Sequence, residues 1–262
     1  MHNAAFAALG LQWRYDALPV PLEQLPEAVH GLQGHGYRGA NVTIPYKETV
    51  MPLMDELSAA AQGIGAVNTI IVQPDGRLVG ENTDWLGFLH PLDRRGFDLT
   101  GRRVLLLGAG GAARGVAHAL WQRGVREVAI WNRSPARASE LAAHIGSTFP
   151  ALKITTGHGM RDLVNASTSL VVNTTSAGMW PRDDESPWPD GLAFPAGALV
   201  YDLVYRPERT RFLRQAEQDG CDTQGGLDML VMQGALAFEL WTGQRPPLNI
   251  MAAAARAELS RQ

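Results

Sequence analysis

Only one cysteine, Cys221, occurs in the 262 residues. It cannot close an internal disulfide and supplies no thiolate cluster, which excludes a disulfide scaffold and favours a reducing compartment. An excess of either charge is also missing: 23 basic against 26 acidic residues leave a formal net charge of -3. With a pI near 6.2 there is no cationic footprint, so nucleic acid is not an expected partner. No apolar run approaches the ~18 residues of a membrane span, and no membrane association is expected. The apolar opening from Met1 to Leu11 lacks a cationic leader and a cleavage site, so it does not read as a signal peptide. The seven histidines show no ligand spacing, and no metal is expected. Internal repeats and low-complexity tracts are absent. What remains is ordinary globular composition, 45% hydrophobic and 19% charged, long enough for one large domain or two modest ones. The expected location is the cytoplasm.

The pattern that is present alternates helix and strand. Asn3–Leu11 has helical spacing, and Glu23–Gln33 places Leu25, Val29 and Leu32 on one side of an amphipathic helix. Gly39–Ile44 reads as a strand stopped by Pro45, and Lys47–Gln62 as a helix. Ala66–Val72 and Arg77–Gly80 flank the turn Pro74-Asp75-Gly76, a hairpin signature. Trp85–Arg94 is helical again, and the polar joint Phe97–Gly101 marks a domain boundary. Strands then recur at Arg103–Leu107, Glu127–Trp131, Leu170–Asn173 and Ala198–Leu203, with helices over Ala112–Gln122, Pro135–Ile145 and Thr210–Asp219. Such alternation implies parallel pairing through crossover helices. The tail, Met229–Trp241 and Asn249–Leu259, is two helices without a strand between them, expected to pack back onto the N-terminal unit.

Two regions carry chemistry. Val104–Leu107 runs into Gly108-Ala109-Gly110-Gly111-Ala112 and then a helix. Gly108 permits a tight turn, Gly110 lets the backbone approach a pyrophosphate, and small Ala113 allows close helix–strand packing. Amides at the helix start hold phosphate well. The second strand ends in Asn132-Arg133-Ser134-Pro135-Ala136-Arg137, with no carboxylate where an NAD enzyme would bind the ribose hydroxyls. Arg133 and Arg137 suit a 2′-phosphate instead, which points to NADP. The other region is Asn41-Val42-Thr43-Ile44-Pro45-Tyr46-Lys47, polar groups at a strand's carboxyl end followed by a lysine. A lysine there can protonate a carbonyl oxygen as hydride arrives, provided a carboxylate stays near it. Gly65–Thr69 and Gly80–Asp84 bring two more polar clusters to strand ends.

These segments, with Asn173–Gly178, Asp202–Tyr205 and Gly226–Gln233, resemble the motif series of shikimate dehydrogenase in order and spacing over nearly the whole chain. The resemblance implies an α/β, two-domain fold. Residues 1–98 would be the substrate-binding catalytic domain on a largely parallel sheet, with the C-terminal helices of 227–262 returning to it. Residues 99–226 would be a Rossmann-type NADP-binding domain. It implies reversible reduction of 3-dehydroshikimate to shikimate by NADPH, in aromatic amino-acid biosynthesis, with Lys47 and Asp84 as the catalytic pair. Thr43, Asn68 and Gln233 correspond to substrate-binding positions, and a polyhydroxylated ring needs such neutral groups. Tyr205 matches a substrate-contacting tyrosine, and equally reads as a half-buried aromatic at a strand end. Leu203 and Gly226 would offer backbone contacts near the nicotinamide, with Thr174 and Thr175 beside the cofactor.

One departure stands out: the family's opening strand and its Ser-x-Ser segment, which binds the substrate carboxylate, do not precede Met1-His2-Asn3. A start codon assigned too late and a truncated product both account for this, and the intact downstream motifs favour the first. Two lost hydroxyl donors cost ~1.5–3 kcal/mol each, so the 262-residue form is expected to show a raised KM or instability that upstream codons repair. Rival readings are an NAD-dependent quinate or quinate/shikimate dehydrogenase and a non-catalytic NADP(H)-binding homologue. Oligomeric state is not set by the sequence, and a homodimer is compatible with it. Among the other features, Met179–Pro195, with Trp180 and Trp188, reads as a flap or a surface loop. Met229 and Met232 read as core, Cys221 as a buried strand residue, and His2, His30, His35 and His158 as surface or loop residues.

Overall fold

The computed structural model describes residues 1–260, and the chain divides into two compact units, Met1–Gly87 with Val231–Gln262 and Phe88–Leu230. The expected joints, after residues 98 and 226, differ from these. The observed divisions fall inside two helices, α4 (Asp84–Arg94) and α9 (Leu227–Thr242), so neither is marked by a loop.

The first unit holds a four-stranded sheet of β1 (Gly39–Asn41), β2 (Glu56–Leu57), β3 (Thr69–Val72) and β4 (Leu78–Glu81), in the order β1-β3-β4-β2. The sheet is mixed: β2 and β4 are parallel, whereas β1–β3 and β3–β4 are antiparallel. A largely parallel sheet was the expectation from helix–strand alternation. The hairpin turn decides otherwise, because a short turn at Gly76 (φ 88) joins only antiparallel neighbours, and parallel ones need a long crossover. The helix expected over Lys47–Gln62 is also interrupted. A 3-10 turn at Met51–Leu53 gives way to extended backbone at Met54, then β2, then α3 (Ala59–Ile64). Pro52 offers no amide to continue a ladder, and the Ser58 hydroxyl caps α3 by accepting from the Ala61 amide at 3.0 Å.

Leu25 and Val29 from α2 (Leu25–Gly31) pack with Val42, Val50, Val67, Ile70 and Leu78 to form this unit's core. The C-terminal helices belong here: α10 (Leu248–Leu259) packs against α1 (His2–Ala8). Trp241 of α9 donates its indole N–H to the Ile70 carbonyl at 2.9 Å, lying over Gly39, where any Cβ would overlap the ring. His2 was expected as a surface or loop residue. Instead it is buried, stacked on Tyr15 at 4.4 Å, because an aromatic group of Phe6, Tyr15 and Trp241 encloses it.

The second unit is a six-stranded, all-parallel sheet, ordered β10-β9-β8-β5-β6-β7. The strands are β5 (Arg103–Leu107), β6 (Glu127–Trp131), β7 (Lys153–Thr156), β8 (Thr168–Asn173), β9 (Leu199–Asp202) and β10 (Asp222–Gln224). Read from β7, this is the 3-2-1-4-5-6 order of the Rossmann fold, with its switch point between β5 and β8. The central strands are buried on both faces, which is why they read as continuous apolar runs. The edge strands β7 and β10, and the short α7 (Met160–Leu163), escape sequence reading because they are brief and mostly polar or half-exposed. Cys221 is buried immediately before β10. The Met179–Pro195 loop is pinned at one end, since Trp188 is buried and stacks on Phe194 at 4.1 Å. Trp180 at the other end stays exposed beneath the Arg206 guanidinium.

Candidate active site

The polar groups of the first unit converge where β3 and β4 meet the turn that carries Lys47. Lys47 Nζ donates to Asp84 Oδ2 at 2.6 Å, with side-chain exposures of 15% and 6%, so the pair is largely shielded from solvent. Asp84 opens α4, where a carboxylate complements the helix dipole. Its amide is held by Asn82 Oδ1 at 3.0 Å, and Asn82 Nδ2 in turn donates to the Ala66 carbonyl at 2.9 Å. Asn68 completes the arrangement: its Nδ2 donates to Asp84 Oδ1 at 2.8 Å and lies 3.3 Å from Gln233 Oε1. Asn68 Oδ1 accepts from the Thr83 amide at 2.8 Å, and the Thr83 hydroxyl donates to the Gln233 carbonyl at 3.0 Å.

Four of the residues singled out by sequence, Lys47, Asn68, Asp84 and Gln233, are therefore joined in one hydrogen-bonded group. Thr43 is not drawn into it: among the described residues its exposed hydroxyl reaches only the Ile44 carbonyl, at 3.5 Å. Tyr205 is 36% exposed and belongs to the second unit. Three residues of the motifs whose roles sequence reading missed hold the group in place. Asn82 and Thr83 fix the start of α4, and Asn41, which accepts from the Tyr15 hydroxyl at 3.0 Å, donates its side-chain amide to the Asn68 carbonyl at 3.4 Å. Their signal was present, since each lies inside a quoted motif, but spacing does not distinguish a group that meets a ligand from one that supports it.

In the second unit, Gly108–Ala112 follows β5 at the switch point, where α5 (Gly111–Gln122) begins at Gly110 without a side-chain cap or an acidic residue in its first turn. Gly108 has φ 112, and a Cβ there would overlap the Thr174 hydroxyl, whereas a Cβ on Gly110 would meet open space. Thr174 Oγ1 and its amide both donate to the Leu107 carbonyl at 2.8 Å. Open space above Gly110 and a start of α5 without a side-chain cap fit a pyrophosphate. Asn132 closes the turn after β6 by donating to the Ser134 carbonyl at 2.9 Å, and Ser134 precedes α6 (Pro135–Thr148). Arg133 and Arg137 are exposed, and among the described residues neither faces a carboxylate within ion-pair distance. Two guanidinium groups left open beside a nucleotide-binding turn fit a 2′-phosphate.

Asn173 and Asp202 end β8 and β9 side by side, both fully buried. Burial pushes the Asp202 carboxyl up to about 6, against the hydrogen bonds it accepts from Thr210, Val204 and Asn173. Beyond them, Leu203 donates its amide to the Asn173 carbonyl at 3.0 Å, and Gly226 packs so tightly on the Leu203 carbonyl that no side chain fits there. Thr175 lies in the turn after β8, its amide 2.9 Å from Asn173 Oδ1.

Known proteins resemble this chain along most of its length. Three family models match in succession: the shikimate dehydrogenase substrate binding domain over residues 1–70, shikimate / quinate 5-dehydrogenase over 92–179, and the shikimate 5′-dehydrogenase C-terminal domain over 226–256. A shikimate dehydrogenase (NADP(+)) of Moorella thermoacetica is 50% identical over 254 residues, covering 96% of this chain and 85% of that one. The enzyme of the same name from Symbiobacterium thermophilum is 46% identical, covering 100% of this chain and 90% of its own. Among solved structures, shikimate 5-dehydrogenase from Thermus thermophilus in complex with NADP(H) and shikimate superposes with a TM-score of 0.85. It is 44% identical, and the match covers 98% of this chain and 92% of that one. With matching models along most of its length and relatives at this identity, the chain belongs to the shikimate dehydrogenase family.

Proposed function

We propose that this chain catalyses the reversible NADPH-dependent reduction of 3-dehydroshikimate to shikimate, as a step of aromatic amino-acid biosynthesis. The observation that carries the reading is the Lys47–Asp84 pair, 2.6 Å apart and joined through Asn68 to Gln233. Bound NADPH supplies the hydride. Gly108, Ala109, Gly110, Gly111 and Ala112 would hold the pyrophosphate, and Asn132, Arg133, Ser134 and Arg137 the phosphorylated ribose. Thr174, Thr175, Leu203 and Gly226 would flank the nicotinamide. The Lys47 ammonium gives one proton to the carbonyl oxygen as the carbon gains hydride, and in the reverse direction the amine takes that proton back. Proton transfer by a positioned group of this kind contributes ~10²–10⁴-fold in rate. Asp84 keeps the ammonium in place through Oδ2 and, with Oδ1 steadied by Asn68, meets a ring hydroxyl. Thr43, Asn68, Tyr205 and Gln233 supply the neutral hydrogen-bonding groups such a ring requires.

The proposal includes a cytoplasmic setting, which the unpaired, buried Cys221 supports. A homodimer is the assembly proposed, to be decided against a monomer by sedimentation equilibrium. Activity is tested by nicotinamide absorbance with shikimate and quinate, each against NADP and NAD. Turnover with shikimate and a preference for NADP are expected. Silence in every combination, or a preference for quinate with NAD, overturns the reading.

A further inference from the structure

The turns assigned above to the nicotinamide end of the dinucleotide lead back to two side chains that themselves have no assigned role. Asp202 Oδ1 accepts from Asn173 Nδ2 at 2.8 Å and from the Val204 amide at 3.0 Å. Its Oδ2 accepts from the Thr210 hydroxyl at 2.6 Å, and that hydroxyl also caps α8 (Arg211–Gln218) by accepting from the Leu213 amide at 3.3 Å. Asn173 faces the other way as well: its Oδ1 accepts from the Thr175 amide at 2.9 Å and the Thr175 hydroxyl at 2.7 Å, and its Nδ2 reaches the Ala177 carbonyl at 3.3 Å. One side of this bridge continues through Thr174 and Thr175 onto Gly108, the other through Leu203 and Val204 onto Gly226.

We propose that Asp202 and Asn173 act as a positioning pair, a carboxylate–amide bridge across the ends of β8 and β9 that holds the turns 174–177 and 203–204 in one mutual register and so presets the dinucleotide site. The inference rests on the functional reading above. Neither side chain has free capacity for a ligand: both are fully buried, and each carboxylate or amide atom already has a protein partner. Their effect on a dinucleotide therefore passes through the backbone they hold. Adjacent strand ends are natural places for such a device, because the parallel ladder already fixes Asn173 opposite Asp202 and leaves only the departing turns to be set. An aliphatic pair of equal volume would pack as well but would leave the Thr175 and Val204 amides without acceptors, freeing both turns.

The test compares Asp202→Ala, Asn173→Ala and Asp202→Asn with the native protein, reading the NADPH dissociation constant from nicotinamide fluorescence, without turnover, at a temperature where circular dichroism shows each protein folded. KM for NADP and for shikimate are measured alongside. Both alanine variants should weaken NADPH about tenfold, the loss expected when charged or buried acceptors are removed. KM for NADP should rise with it, while KM for shikimate stays within about twofold. Asp202→Asn keeps an Oδ1 able to accept from Asn173 and Val204, and should recover most of the lost affinity. Alanine variants that melt at lower temperature but bind NADPH with native affinity, or equal losses for both substrates, show a merely structural role and overturn the pair's assignment. Should neither alanine variant fold, Thr210→Val decides, since it removes the donor to Asp202 Oδ2 without altering a residue assigned to the ligand: it must weaken NADPH, and native affinity refutes the bridge. A native protein that binds no NADPH would bring down the functional reading itself, which the fluorescence titration of the unaltered chain reveals first.

Discussion

Lys47 is one of two lysines among 23 basic residues. The other, Lys153, is spent on an ion pair with Glu127 at 3.1 Å. A chain that otherwise uses arginine for positive charge has placed, beside Asp84, a cation that can give up its proton. Lys47→Ala should therefore cut turnover by ~10²–10⁴-fold while NADPH affinity stays native. Stopped-flow single turnovers beside a fluorescence titration separate the two, and a variant that still turns over normally removes Lys47 from the chemistry. Two buried groups give this protein opposite pH responses in one window. Asp202 is raised by burial to about 6 from 3.8, so the unfolded chain ionises first and the native state loses stability as pH rises from 4 to 6. His2 is lowered to about 4 from 6.5, chiefly by burial, so the unfolded chain takes up the proton first and stability falls as pH drops from 6.5 to 4. Relative to the native protein, Asp202→Asn should gain roughly 2–3 kcal/mol from pH 4 to 6, and His2→Phe a similar amount from pH 6.5 down to 4. Urea midpoints across that range would show parallel curves if neither group were linked to folding. A third residue is simpler. Tyr201 is fully buried and stacked on Phe88 at 5.1 Å, yet its hydroxyl has no hydrogen-bond partner among the described residues. Tyr201→Phe keeps the stacking and should stabilise the second unit by about 1 kcal/mol, read as a higher urea midpoint.

At the level of elements, the second sheet has two differently built ends. The carboxyl ends of β5, β8 and β9 carry the glycine turn and the Asn173–Asp202 bridge, while the amino end of β5 is tied by a buried arginine. Arg103 donates to Glu127 on β6 at 3.0 Å, to the Thr168 hydroxyl on β8 and to the Leu163 carbonyl of α7 at 2.9 Å. Hydrogen bonds from Lys153 and Arg103 hold the Glu127 carboxyl below its usual range against the opposing effect of burial. Arg103→Met alone removes the buried partner of that carboxylate, leaving it the exposed Lys153, and should cost about 1.5–3 kcal/mol. Adding Glu127→Leu should return much of it, because a matched apolar pair replaces a broken ionic one. Calorimetry on the single and double variants checks this, and equal losses for both would sink the account. The same scale shows where the sequence was legible. β5, β6 and β8 announced themselves as apolar runs, and the turn at Gly76 carried its own turn chemistry, whereas the Ser58 cap was hidden inside a helix read straight through it. β7 and β10 did not, since an edge strand of Lys, Thr, Asp and Gln has no periodicity to read until a neighbour supplies the other half of its ladder.

For the whole molecule, the division into two units separates what each ligand can stabilise. A ligand that binds only the folded state adds about 2.7 kcal/mol at one hundred times its dissociation constant. Saturating NADP should slow amide exchange across β5, β8 and β9 by that margin and leave the β3–β4 hairpin of the first unit largely unchanged. Hydrogen-exchange mass spectrometry resolves the two regions, and equal protection of both would contradict the assignment of the dinucleotide to the second unit.

Sequence alone determined the α/β class, the glycine turn between β5 and α5 and the absence of an acidic residue at Asn132–Arg137, because each is written in local pattern and residue chemistry, while Lys47, Asn68, Asp84 and Gln233 were drawn together by the resemblance to the shikimate dehydrogenase motif series. Only the tertiary structure decided that the first sheet is mixed, that α4 and α9 each run from one unit into the other, and that His2 is enclosed by aromatic rings. It also showed that Asn173 meets Asp202 across neighbouring strands, 29 positions apart in the chain. Periodicity reports which face of an element is apolar. Which element lies opposite it, and which buried donor finds which acceptor, is settled by packing between residues far apart along the chain.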